Sequence, residues 1–346
     1  MATASRNATD ANSGTGSAAA MGLSGSVVAP LPHWVEPELP TLALAPPAGQ
    51  DWVHEIKFDG YRILASVDQG KVMLSTRRGN DWTERMPALA VAMRAIPVKT
   101  ALFDGELVAL DARGMSDFQR LQDALGCGPV RQAAALVYFV FDLLYLDGVD
   151  LRGLGLAKRK ALLGQTLARL PPAAAGTIRL SDHVIGQGPA FFAQAARMGL
   201  EGIVSKQRDA RYCSGRSRGW LKVKCSRRQE FVVVGFTDPK GSRSHLGALL
   251  LATHSGSDLV YRGRVGTGFG EDALRDLHHK LAPLRASRPI LVRAPSGADV
   301  RGVHWVRPEL VAEVSFAGFT DDGLIRHATF MGLREDKSAS EVTFEG

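Results

Sequence analysis

The sequence has little cysteine and no cysteine pair at a metal-binding spacing. Its three cysteines, Cys127, Cys213 and Cys225, are an odd number without a Cys-x-x-Cys motif, so neither a disulfide framework nor a zinc site is indicated. The histidines include no His-x-x-x-His pair with a nearby acid, which argues against a histidine metal centre. A reducing cytosol is the simplest compartment for such a chain, and we expect a cytoplasmic protein.

No stretch of the chain is apolar for long enough to cross a membrane. A membrane-spanning helix needs about 18 or more apolar residues, and the nearest candidate, residues 136–146, carries Asp142 in its middle. At the start, residues 1–28 are mostly Ala, Ser, Gly, Thr and Asn, which bury too little apolar surface to offset the entropy of ordering. We therefore predict no membrane segment and a disordered segment at residues 1–28.

Acidic residues are outnumbered, and the positive charge is concentrated in one place. The chain has a net charge of +7, whereas residues 205–228 alone contain nine Lys or Arg and a single acid, Asp209. A solvated basic face is one interpretation of such a run. Glycines and two aromatic residues, Tyr212 and Trp220, are interleaved with the cations, and this favours a surface that follows a nucleic-acid backbone.

Alternation of apolar and polar residues predicts a strand-rich first part with few helices. Strands are expected at residues 53–57, 61–67, 71–75, 101–110, 136–146, 203–206 and 220–224. Helices are expected at residues 116–125, 156–170 and 189–198. Ser116 is the expected N-cap of the first helix, with Gln119 completing a capping box. The mixture indicates an α+β fold.

After about Arg227 the composition changes to short strands separated by glycine turns. Strands are expected at residues 231–236, 246–253, 259–263 and 310–316, with one helix at about residues 271–284. Five or so strands and a helix in about 110 residues suit a small Greek-key barrel such as the OB-fold. We therefore predict two domains, residues 29–226 and residues 227–346.

The most informative motif is Lys57-Phe58-Asp59-Gly60, which follows a strand-like segment. A lysine amine can attack the α-phosphate of a nucleotide and hold the nucleotidyl group as a phosphoramidate. The same four residues also suit an ordinary strand followed by a turn. Further motifs along the chain favour the first interpretation. They are Ser75-Thr-Arg-Arg-Gly79, Phe103-Asp-Gly-Glu106, Phe141-Asp142, Glu201-Gly-Ile-Val-Ser-Lys206, Trp220-Leu-Lys-Val-Lys224 and Gly332-Leu-Arg-Glu-Asp-Lys337.

In this order and spelling, the motifs resemble those of ATP-dependent DNA ligases of the covalent nucleotidyltransferase superfamily. The resemblance is greatest to the ligase module of bacterial ligase D, the end-joining ligase, and extends from about Leu31 to Val342. It implies a nucleotidyltransferase (adenylation) domain with antiparallel sheets, followed by an OB-fold β-barrel domain. It also implies that ATP is used as covalent AMP, assisted by Mg²⁺ or Mn²⁺.

The resemblance implies a role for each motif residue. Lys57 would be adenylated. Lys222 and Lys224, two positions apart on a strand and therefore on one face, would hold the α-phosphate and the pyrophosphate. Arg334 and Lys337 would orient the β- and γ-phosphates. The residues that would contact or support the nucleotide are Glu55, Asp59, Gly60, Arg62, Arg77, Glu106, Phe141 and Asp336.

The remaining roles concern the metal, the DNA and the nucleophile. Glu201 and Glu106 would engage the metal, and Arg216 and Arg218 would hold the 5′-phosphate of DNA. Arg78 is an alternative to Arg77, because it replaces the usual Asn of that motif. Nearby cations or the metal are expected to favour loss of the Lys57 proton, and a hinge near residues 226–229 is expected to let the barrel swing toward DNA.

The expected partner is nicked or broken duplex DNA, bound by a monomer in the bacterial cytosol or nucleoid. Ku is implied as a partner by the resemblance alone. Two alternatives stay open: an RNA ligase or capping-type nucleotidyltransferase on the same scaffold, and a non-catalytic protein that binds DNA ends. The spelling of residues 332–337 favours DNA, and the intact set of Lys57, Glu106 and Glu201 argues against a dead site.

Overall fold

The computed structural model describes residues 25–125, 135–225, 227–239, 245–292, 295 and 302–345. Most of the segment predicted to be disordered, together with Cys127 and the predicted hinge residue Ser226, lies outside the described residues. The disorder prediction is wrong for the last two residues of that segment, because the strand Val27–Val28 pairs with Val149–Asp150. Within the described ranges, every helix is too short or too polar to span a membrane.

Two sheets form the first part of the chain. Their strands are β1 (Val27–Val28), β2 (Glu38–Leu42), β3 (Trp52–Ile56), β4 (Tyr61–Asp68), β5 (Lys71–Thr76), β6 (Thr100–Ala109), β7 (Leu136–Leu146), β8 (Val149–Asp150), β9 (Ile178–Leu180), β10 (His183–Ile185), β11 (Gly202–Gln207) and β12 (Gly215–Lys224). The first sheet has the order β1-β8-β7-β6-β4-β5, with β9 beside β7, and the second has the order β10-β3-β11-β12-β2. Pairing is antiparallel except at β7–β9 and β12–β2, which are parallel.

The helices confirm the sequence predictions and add one more. They are α1 (Pro87–Arg94), α2 (Phe118–Leu125), α3 (Leu156–Leu167), α4 (Pro172–Ala175), α5 (Gly188–Arg197) and, later in the chain, α6 (Glu271–Leu281). The expected cap of α2 is wrong. Asp117, rather than Ser116, accepts the backbone N–H of Arg120 at 3.1 Å, and the Ser116 hydroxyl instead accepts the N–H of Asp59 at 3.4 Å.

The two sheets pack face to face, and this places the aromatic wall of the site. Along β7, Val140 and Leu143 enter the core beneath the helices, whereas Phe141 and Leu144 point to the second sheet. Phe141 meets Trp220 of β12 edge to face, with ring centroids 5.9 Å apart. Aromatic pairs prefer this geometry because the positive edge of one ring faces the negative face of the other.

The last part of the chain is a separate antiparallel sheet with its own core. Its strands are β13 (Arg228–Thr237), β14 (Leu249–Ser255), β15 (Asp258–Val265), β16 (Val303–Trp305), β17 (Val311–Ser315), β18 (Gly318–Phe319), β19 (Ile325–Arg326) and β20 (Thr329–Leu333). The main order is β15-β14-β13-β17-β20, with β16 beside β13. Leu274, Leu277 and Leu281 of α6 are buried in this core. Among the described residues no strand pairing closes the sheet, but its content agrees with the predicted OB-fold class.

Burial corrects the interpretation of the basic run. Tyr212 and Trp220 are buried, at 6% and 1% exposure, so they are packing residues and cannot follow a nucleic-acid backbone as proposed from the sequence. Arg216 and Arg218 are exposed on β12. The cations of this run that remain available for DNA are therefore not interleaved with exposed aromatic rings.

Candidate active site

One cavity gathers almost all of the predicted site residues. It encloses about 1050 Å³ out to its mouth and is bounded by strands of both sheets and by the C-terminal strands. Every predicted site residue except Arg218 lines it. They are Glu55, Lys57, Asp59, Gly60, Arg62, Arg77, Glu106, Phe141, Glu201, Arg216, Lys222, Lys224, Arg334, Asp336 and Lys337.

Lys57 lies directly after β3, where the antiparallel neighbour β11 brings Glu201 beside it. The Lys57 N–H donates to the Gly202 carbonyl at 3.0 Å, and its ammonium contacts Glu201 Oε1 at 2.5 Å. Burial alone would lower the pKa of Lys57, but the Glu201 carboxylate outweighs it and raises the pKa well above its ordinary value. In this arrangement, the prediction that neighbouring cations favour loss of the Lys57 proton is therefore wrong.

Glu201 offers one oxygen to a ligand. Its Oε2 is buried and has no hydrogen-bond partner, although a buried polar atom is normally satisfied. No group of three or more His, Cys, Asp or Glu in the described ranges is arranged to hold a metal. Mg²⁺ is commonly held by one or two carboxylates together with substrate phosphates and water. The free oxygen of Glu201, with Glu106 in the same cavity, fits that mode of binding.

Two further carboxyl groups of the cavity are held near neutrality. Burial raises the pKa of Glu106 to about 7. Burial, followed by repulsion from Glu313 and Glu201, raises the pKa of Asp59 to about 7. Asp59 also pairs with Arg228 at 2.7 Å. A concentration of acids that resist ionisation is typical of a site built to receive a cation.

The aromatic wall of the cavity is overlaid by cations. The Arg62 guanidinium lies 4.5 Å from the Phe141 ring centroid, and the Lys206 ammonium lies 4.3 Å from it. Arg62 is fixed from behind by both oxygens of Asp104, at 2.5 and 2.6 Å. The Tyr212 hydroxyl also donates to Asp104, at 2.7 Å. This wall can hold a planar base against Phe141.

The cations predicted to hold phosphates each have a carboxylate partner from the C-terminal region. Lys222 and Lys224 contact the two oxygens of Glu345 at 2.6 and 2.8 Å, which confirms that they share a face. The other pairs are Arg77 with Glu341 at 2.9 Å, Arg334 with Asp336 at 2.9 Å and with Glu313 at 3.1 Å, and Lys337 with Glu230. Carboxylates thus occupy positions where phosphate oxygens would satisfy the same donors.

The DNA and hairpin arginines are placed less uniformly. Arg77 lines the cavity, whereas the alternative, Arg78, is exposed and does not. Arg216 lines the mouth and donates to the Pro40 carbonyl at 3.2 Å. Arg218 lies outside the cavity lining. The arrangement therefore favours Arg77 over Arg78 and separates Arg218 from the other predicted residues.

Several residues of the site were missed by sequence reasoning. Lys206, Trp220, Glu230 and Glu313 line the cavity, and Glu345 bridges the two lysines of β12. Alternation along β17 could have indicated that Glu313 is inward-facing among apolar residues. No local signal connects Glu345 with a strand 121 positions earlier.

Comparisons with known proteins agree with this geometry. The ATP dependent DNA ligase domain matches residues 41–224, and the ATP dependent DNA ligase C terminal region matches residues 242–337. The chain is 43% identical over 319 residues to the multifunctional non-homologous end joining protein LigD of Pseudomonas aeruginosa. It is 37% identical over 297 residues to the LigD repair protein of Mycobacterium tuberculosis. These matches cover 91% and 85% of this chain but only 37% of each relative.

A solved structure is similar over nearly its full length. The mycobacterial DNA ligase D complexed with ATP and MES shares 33% identity, covers 90% of this chain and 98% of that chain, and gives a TM-score of 0.67. The similarity therefore includes both the cavity region and the C-terminal sheet. On the family matches and this structural likeness together, the chain belongs to the ATP-dependent DNA ligases.

Proposed function

We propose that this chain seals breaks in duplex DNA between a 5′-phosphate and a 3′-hydroxyl, by way of Lys57–AMP and DNA–adenylate. One observation carries the proposal. The Lys57 amine lies in a cavity that has an aromatic wall on one side and the cations of β12 and the C-terminal region on the other. A nucleotide needs this set of partners, a stacking surface for the base and charge for the phosphates.

In the first step, Lys57 Nζ forms a bond to the α-phosphorus of ATP, and the bond to pyrophosphate breaks. The ion pair with Glu201 must loosen first, because only the deprotonated amine attacks. Lys222 and Lys224 exchange Glu345 for phosphate oxygens, and Arg334 and Lys337 hold the outer phosphates. Glu201 and Glu106 would hold Mg²⁺ or Mn²⁺, which supplies positive charge against the phosphates.

In the later steps, the AMP passes to the 5′-phosphate of DNA, and the neighbouring 3′-hydroxyl then displaces it. The chain's contribution is to position the groups and to stabilise charge. Arg216 at the cavity mouth, with Arg218 further out on β12, would hold the 5′-phosphate. A change in the placement of the C-terminal sheet about residues 226–229 would open the cavity to DNA.

The wider biological role forms part of the proposal. The chain spans about 37% of the length of the curated relatives it matches, and the LigD names connect those relatives with non-homologous end joining. We infer the same role here for a monomer in the bacterial cytosol or nucleoid, with Ku as a partner. The domain limits 29–226 and 227–346 are supported by two separate apolar cores.

A sealing assay tests the proposed function. Duplex DNA with a single nick and a labelled 5′-phosphate is incubated with ATP and Mg²⁺, and the joined strand is measured for the wild-type chain and for Lys57→Ala. We expect joining by the wild-type chain alone. Binding of nicked DNA without joining would favour the non-catalytic alternative, and faster joining of nicked RNA would favour the RNA ligase alternative.

A further inference from the structure

Three donors surround the Glu55 carboxylate, and one of them comes from behind the cavity wall. Lys160 and Lys206 donate to Oε1 at 2.8 and 3.1 Å, and the Ser181 hydroxyl donates to Oε2 at 2.9 Å. All four side chains are at least nine-tenths buried. Glu55 and Lys206 line the cavity, whereas Lys160 reaches Glu55 from helix α3. Lys160 therefore acts on the cavity only through its neighbours.

The arrangement leaves Glu55 able to accept one more hydrogen bond. An ionised carboxylate has about four acceptor positions, and the protein donors take up three. A purine with an amino group at carbon 6 brings a donor to the fourth. A purine with a 6-oxo group brings another acceptor, which a fixed carboxylate repels.

Lys160 also fixes the wall on which a base would stack. Its ammonium donates to the Phe141 carbonyl at 3.4 Å and to the Ser181 carbonyl at 3.2 Å, in addition to Glu55. A lysine ammonium has three protons to donate, so these contacts use all of them. One side chain thus links β3, which carries Glu55, to β7, which carries Phe141.

We propose, on the basis of the proposed function, that Lys160 is a positioning residue for base selection. It fixes the Glu55 carboxylate relative to the Phe141 ring and so favours 6-aminopurine over 6-oxopurine nucleotides. The charge state of Glu55 agrees with this role. Burial would raise the pKa of Glu55, but Lys160 and then Lys206 outweigh burial and lower it. Glu55 therefore accepts hydrogen bonds and has no proton to donate.

The neighbouring basic residues of α3 have different surroundings, which supplies a control. Arg159 pairs with Asp142 through two contacts of 2.8 and 2.9 Å, both side chains being fully buried, and so supports β7 itself. Lys158 is exposed on the same helix. A change at Lys158 therefore alters the charge of α3 without touching Glu55.

Base preference is the readout that separates positioning from general stability. The rate at which Lys57 gains a nucleotidyl group, followed by intact mass spectrometry, is measured with ATP and with inosine triphosphate, which carries a 6-oxo group. We expect Lys160→Met to reduce the preference for ATP at least tenfold and Lys160→Arg to restore part of it. Lys158→Met should leave the preference unchanged.

An equal loss of rate with both nucleotides in Lys160→Met would overturn the inference, because a merely structural role affects both alike. If circular dichroism shows that Lys160→Met is not folded, Lys160→Gln takes its place, since it keeps an amide donor without the charge, and the same ratio decides. AMP on Lys57 at saturating ATP in these variants leaves the proposed function standing whatever the ratio. A wild-type chain that never gains AMP would overturn both.

Discussion

Lys57 and Glu201 form a 2.5 Å ion pair across 144 positions of sequence. They meet because β3 and β11 are antiparallel neighbours, so that the chain after β3 runs beside the start of β11. The pair holds the amine in its protonated form and leaves Glu201 Oε2 without a partner. Activation of the nucleophile therefore depends on what else binds Glu201.

Removal of divalent cations should prevent Lys57 from reacting, because Glu201 then keeps the amine protonated. Chelation with EDTA should abolish the AMP adduct, and added Mg²⁺ or Mn²⁺ should restore it. Glu201→Gln should slow adduct formation by about 100-fold or more, which is the scale of losing one preorganised electrostatic group. The exposed Glu84→Gln is the control. Adduct formation at an unchanged rate in EDTA would contradict this role for Glu201.

Neutralising Glu345 should make ATP bind more readily. Glu345 occupies both lysines of β12, and ATP must displace it before its phosphates reach them. An ion pair of about 1 kcal/mol corresponds to roughly a fivefold change in affinity, so Glu345→Gln should lower the KM for ATP by about that factor. Glu309→Gln, which breaks an exposed pair with Arg307, should not. An equal or higher KM in Glu345→Gln would show that Glu345 does not compete with phosphate.

Affinity for ATP should fall as pH rises through about 8. Burial, followed by repulsion from Lys224, lowers the pKa of Lys222 to about 8, so that this lysine is charged below that pH and neutral above it. Calorimetric binding of Mg-ATP to the unreactive Lys57→Met chain isolates this effect from the chemistry of Lys57. Lys222→Arg should move the loss of affinity to higher pH, since a guanidinium stays charged. A profile that Lys222→Arg does not alter would contradict the assignment.

The exposed arginines of β12 should contribute to salt-dependent DNA binding. Each phosphate contact that is lost reduces the slope of log K against log salt by about 0.9 for duplex DNA. Arg216→Ala and Arg218→Ala should each lower the slope for nicked duplex by about that amount. Arg94→Ala, an exposed arginine of α1, is the control. Slopes equal to that of the wild-type chain would remove both arginines from the DNA contact.

The motif residues of the site could be predicted because each lies at or near a strand end. Lys222 and Lys224 follow the two-residue period of a strand, so their common face could be deduced before any contact was known. Phe141 could not be assigned from its apolar surroundings, because a strand buried on both faces looks the same at every position. Only its place in the ordered motifs indicated a role in the cavity.

The remaining features depend on long-range packing that leaves no local pattern. Glu345 reaches Lys222 from 123 positions away, and Lys160 reaches Glu55 from 105. Trp220 was wrongly placed on a nucleic-acid surface, because alternating cations and aromatics do not reveal that its side of β12 is covered by the first sheet. Helix α1 was missed, although Pro87 at its first turn is a recognised start signal.

The most direct test of the account is the intact mass of the purified chain before and after incubation with ATP and Mg²⁺, followed by peptide mapping. We predict a gain equal to one AMP, located on Lys57, and no gain in Lys57→Ala. A folded wild-type chain that gains no mass, or a Lys57→Ala chain that still gains it, would contradict the account.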